Sequence, residues 1–125
     1  MEAFIEKIIE NYPRYLREEE RFEYHLEARE NPDMRDALTA LRIRLGIIES
    51  WFVLLDMDER FALRQILTVN ETAERRAAAM MWTCQLFKEN QTPVQVRKRA
   101  IHKISAFASM HRKLMQAAFS DLWRH

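Results

Sequence analysis

Glycine is nearly missing from this 125-residue chain, with Gly46 its single example. Loops that cradle phosphate need several glycines to bring backbone amides close, so a Walker loop and the dinucleotide-binding glycine fingerprint are both excluded. Three prolines, Pro13, Pro32 and Pro93, add little turn chemistry. The tight Asn-Gly and Asp-Gly turns of hairpins do not occur. A lone cysteine, Cys84, permits no intramolecular disulfide and no cysteine-based metal cage, which makes a reducing interior the simpler assumption. No run approaches the ~18 apolar residues of a membrane span. The opening MEAFIEKIIE is acidic where an export signal needs a cationic start. The expectation is a cytoplasmic protein with no membrane partner.

What remains is helical material. Apolar residues make up 48% and charged residues 31%, a globular composition, and this length suits one domain that buries about two-thirds of its unfolded surface. The fold class expected is all-α, a single domain of five or six helices spanning 1–125. A first helix runs from Glu2 to Asn11; Pro13 stops or kinks it, and the pattern resumes from Arg14 to about Arg29. Asn31-Pro32-Asp33 makes a turn. A helix from about Asp36 to Leu55 follows, then a short one from Met57 to Leu67 opened by Asp56 and Glu59 in capping-box spacing. Residues Glu71 to Glu89 are helical with Cys84 inward. The last helix begins at Pro93 and runs about 30 residues, either bending near Ser105 or Ser109 or extending past the core.

Leu38, Leu41, Leu45, Ile48, Phe52 and Leu55 step by three and four, and Ala40, Ile47, Trp51 and Leu54 form an adjacent apolar set. Two readings fit a helix apolar on two sides: the central helix of a bundle, or one that shares a seam with a second copy in a homodimer. Trp51, Trp82, Leu114 and Phe119 are candidates for a protein interface, with burial in the core as the plainer alternative.

Catalytic chemistry finds no foothold. His25, His102, His111 and His125 lack the i, i+4 spacing of a zinc-protease helix and the glutamate spacing of a di-iron bundle. Asp56, Asp58 and Glu59 are accounted for by helix capping. Neither an enzyme, a metal site nor a cofactor is expected.

Charge is uneven although the net charge is +1. Residues 1–33 hold ten acids against five bases, a balance of −5, whereas residues 92–125 hold seven bases against Asp121, a balance of +6. Such polarity means either a tail that meets phosphate or two ends that meet each other across the fold. The stretch Thr92 to Phe107 concentrates the question. Thr92-Pro93 is a helix start, and Val94, Ile101, Ile104 and Ala108 form an apolar stripe. Gln95, Lys98, Arg99 and His102 then share another face, placed to enter a DNA groove, while Arg97, Lys103, Arg112 and Lys113 are placed to meet phosphates. Gln and Arg suit the edges of adenine and guanine. The competing reading is a solvated basic face that balances the acidic first helix.

Asp58-Glu59-Arg60-Phe61 and Val96-Arg97-Lys98-Arg99-Ala100-Ile101-His102-Lys103-Ile104 together resemble the C-terminal DNA-binding region of sigma factors and their phage relatives, above all the late-gene transcription regulators of the ArpU and RinA type. The resemblance covers about residues 56–108. It implies a divergent helix-turn-helix on an N-terminal scaffold, residues 1–55, with 109–125 as a helical extension. It also implies duplex DNA as partner, with contact through Thr92, Arg97, Lys98, Arg99, His102 and Lys103. A helix-turn-helix that has lost DNA and kept its scaffold implies instead a protein partner, RNA polymerase or another regulator.

Overall fold

Pro13 does not interrupt the first helix. In the computed structural model, which describes residues 1–67 and 93–123, α1 runs unbroken from Glu2–Ala28 with Pro13 inside it. A proline there deletes one backbone bond and crowds the preceding turn. Here Phe4, Ile5, Ile8 and Ile9 are buried before it and Tyr15 and Leu26 after it. Apolar burial on both sides of the proline holds the two halves to the rest of the fold and offsets its cost. Leu16, next to the buried Tyr15, is about two-fifths exposed.

Asn31 turns the chain into α2, Pro32–Phe52. Its side-chain oxygen accepts from the backbone N–H of Asp33 at 3.0 Å and of Met34 at 3.2 Å, and Pro32 occupies the first turn, where a missing N–H costs nothing. The two helices form an antiparallel pair tied on its outer edge by Arg42, which reaches Glu19 at 3.4 Å and also Glu23. Leu38, Leu41, Leu45, Ile48 and Leu55 are all buried within the one chain. The seam read as a homodimer candidate is therefore the inner face of a central helix, and Trp51, at 1% exposure, lies in the core with it.

Three further helices are described: α3, Met57–Leu67; α4, Pro93–Ser109; and α5, Arg112–Ala118. The chain leaves α4 just past Ser109, whose hydroxyl donates back to the Ser105 carbonyl at 2.7 Å. Met110 and His111 then donate to carbonyls only three residues behind them, a tightened last turn that lets α5 change direction. One apolar core draws on all five helices, with Leu63 from α3, Ala100, Ile101, Ile104 and Ala108 from α4, and Met115 just ahead of Phe119 at the end of α5. Phe119 is fully buried, its ring centroid 6.4 Å from those of Phe4 and Trp51 and 6.5 Å from that of Tyr15. Arg44 closes this end, stacking over Tyr15 and Phe119 and pairing with Asp121 at 2.7 Å. Phe119 is thus a core residue, and it offers no surface to a partner.

Among the described residues there is no strand, and no helix is long and apolar enough to cross a membrane. The expected helix from Glu71 to Glu89, with Cys84 and Trp82, lies outside the described residues, as does Thr92.

Candidate nucleic-acid interface

The start of α3 fixes the position of α4. Glu59 N–H donates to Asp56 Oδ1 at 2.8 Å, and Glu59 Oε1 accepts from Asp56 N–H at 2.9 Å, the reciprocal pair that its spacing predicts. Glu59 does more than cap. Its side chain is wholly buried and also accepts from Lys103 Nζ at 2.7 Å and from Arg99 Nε at 3.1 Å, while Arg99 Nη2 donates to Asp56 Oδ2 at 3.4 Å. A buried carboxylate is tolerated only when its lone pairs are engaged, and here an amide, a guanidinium and an ammonium engage them. Burial acts to raise the Asp56 carboxyl. The Glu59 N–H bond and the Arg99 and Lys103 charges together outweigh it and hold that carboxyl below its ordinary range. Beside this polar knot, Val96 packs on Ala62 between the two helices.

Anchored there, α4 buries Val96, Ala100, Ile101, Ile104 and Ala108 and turns Val94, Gln95, Lys98 and His102 outward. Val94 was expected in the apolar stripe. It is 60% exposed, because a first-turn side chain leans toward the helix start, beyond the packed region, and Val96 fills the inner position instead.

The basic residues divide into three groups. Arg99 and Lys103 hold Glu59 with one edge and remain about two-fifths exposed on the other, at 41% and 43%. Arg97 and His102 face α1, with Arg97 Nη2 4.0 Å from Glu6 and His102 Nδ1 3.2 Å from Glu2. The acidic front and basic tail therefore do meet, at two points among the described residues. Lys98 and Lys113 are exposed and make no ion pair among the described residues. On α5, the Arg112 guanidinium lies 5.4 Å over the Trp123 ring, while Leu114 is 51% exposed. The role of Glu59 as anchor was hidden because its partners stand 40 and 44 positions away.

No group of three or more His, Cys, Asp or Glu is arranged to hold a metal ion among the described residues. Comparison with protein-family models, with curated proteins and with solved structures finds no match to this chain.

Proposed function

We propose that this protein is a non-catalytic transcription regulator of the phage type, acting in the cytoplasm and contacting duplex DNA through the first turns of α4. One observation carries the reading. A buried carboxylate grips α4 by Arg99 and Lys103, which fixes the helix rigidly and leaves Gln95, Lys98 and the outer edge of Arg99 on its solvent side. Rigid presentation of a few side chains is what base-edge readout requires. Arg97 and His102 lean on α1 acids and Arg112 on Trp123, so the phosphate-meeting set keeps Lys113 and the solvent-facing edge of Lys103, which also holds Glu59, and gains Lys98 from the groove-facing set.

A second reading has its own support. Arg97, Arg99, His102 and Lys103 each have a carboxylate neighbour, so the field over α4 is close to neutral, which suits a helical module that acts on RNA polymerase or another regulator.

Fluorescence anisotropy on duplex DNA under salt titration separates the two. Three neutralised phosphates give log affinity a slope of about −2.7 against log salt, and Lys98→Ala lowers its magnitude by about 0.9. Lys98 is the informative site, because truncating Arg99 would also disturb the buried Glu59. If no duplex binds at low salt while purified RNA polymerase does, the second reading holds.

A further inference from the structure

The first two turns of α1 lie against the middle of α4. Glu2 meets His102 at 3.2 Å and Glu6 meets Arg97 at 4.0 Å, so numbering rises along one helix as it falls along the other and the two contacts are successive rungs. The acids are four residues apart, on one face of α1. Neither rung is tight. Glu6 stands beyond hydrogen-bond distance from Arg97, the two side chains keep 43% and 33% of their surface in water, and the buried Nε of Arg97 has no hydrogen-bond partner. His102 and Glu2 are more open still, at 78% and 59% exposure. Arg99 and Lys103, by contrast, are hydrogen-bonded to a carboxylate that is wholly buried. Exposed ion pairs contribute little to stability and an unsatisfied buried donor is a cost, so Arg97 and His102 are the α4 cations that can change partners without loosening the fold.

Lys98 follows Arg97 directly, shares a face with His102 one turn on, and is exposed, which sets both acids at the edge of the surface that would meet phosphate. A carboxylate placed there acts twice. It neutralises a cation, and it repels an approaching backbone. We infer that the start of α1 is an electrostatic brake on DNA binding: Glu6 and Glu2 stand in for phosphate on Arg97 and His102, and a duplex must displace them. This rests on the DNA reading above and names how that same site is regulated. Built from charge alone, the brake sets affinity for any duplex and leaves sequence choice untouched. His102 adds a full charge only when protonated, so the Glu6 rung carries most of the effect.

Fluorescence anisotropy on duplex DNA under salt titration reads the brake, with the wild type beside Glu6→Gln and Glu2→Gln/Glu6→Gln and circular dichroism showing the helices intact in each. A released Arg97 takes one more phosphate, so the slope of log affinity against log salt should steepen by about 0.9, to about −3.6, and affinity at low salt should rise about three- to tenfold. Two further variants separate release of Arg97 from a change in net charge. Glu6→Gln/Arg97→Gln should lose the gain. Glu20→Gln deletes the same charge about 21 Å along α1 from Glu6, more than two screening lengths at physiological salt, and should bind as the wild type does. If the wild type binds duplex and Glu6→Gln matches it in affinity and slope, the DNA reading stands and the brake is overturned. A gain that survives in Glu6→Gln/Arg97→Gln, or that Glu20→Gln reproduces, overturns it equally. If neither the wild type nor Glu2→Gln/Glu6→Gln binds duplex at low salt, the DNA reading itself fails and the brake falls with it.

Discussion

Truncating Glu59 to alanine should cost about 3 kcal/mol of folding stability. About 1 kcal/mol of this is the lost bond to the Asp56 N–H, the value typical of a helix cap. The remainder comes from the two charge-assisted bonds to Arg99 and Lys103. Removing one member of a buried ion pair usually costs about 3–5 kcal/mol because the other is left stranded. Here the cations keep 41% and 43% of their side-chain surface in water and can rehydrate, so the penalty stays below that range. For a chain of this length the corresponding fall in Tm is about 10 °C. Glu59→Gln preserves the volume and an acceptor for the Asp56 N–H while deleting the charge, and should lose only about half as much. Thermal denaturation followed by circular dichroism measures both, and repeating it at about 1 M salt should leave the differences standing, because a buried group is poorly screened. Should Glu59→Ala cost under about 1 kcal/mol, or the glutamine variant fare no better than the alanine one, the carboxylate is not what pins α3 to α4.

Three other perturbations follow from the same structure. Asp56 is held below its ordinary carboxyl value of 3.8, so the unfolded chain takes up the proton first and the stability this group contributes is lost as pH falls below that value. Asp56→Asn retains the helix cap, and its Tm gap from the wild type should hold steady above about pH 5 and narrow as pH falls through 3.8; a gap that widens in acid would contradict the sign. Gly46→Ala lies mid-helix with open space around its Cβ, and should stabilise the chain by about 0.5–1 kcal/mol in urea titration at dilute concentration. Phe119→Ala empties the site between Phe4, Tyr15 and Trp51 and should cost about 3–5 kcal/mol by the same titration, with loss of near-ultraviolet circular dichroism from the aromatic cluster.

The parts of this fold that sequence discloses are those decided within a few residues. The start of α3 at Met57 follows from the Asp56 and Glu59 capping pair, which is closed by local bonds. The bend at Ser109, one of the alternatives open for so long a helix, is marked by a hydroxyl that bonds back to the Ser105 carbonyl. Decisions made across the fold were not legible. Whether Pro13 ends α1 depends on what waits to bury Tyr15 and Leu26 beyond it. Periodicity in Leu38, Leu41 and Leu45 reports that a face is covered without saying whether the cover is the same chain. The basic run could be located by counting charges, yet its split between Glu59, the α1 acids and open water rests on contacts 40 or more residues apart.

The hairpin of α1 and α2 is not supported equally along its length. Leu41 and Leu45 belong to the main core, whereas Leu26 and Leu38, nearer the turn at Asn31, are buried outside it. Amide exchange should therefore run in a gradient, fastest at the tip and slowest near Tyr15 and Ile48, with the tip opening and reclosing many times for each global unfolding event. Within the hairpin, a protease given the native protein would cut that distal elbow long before the aromatic end gives way.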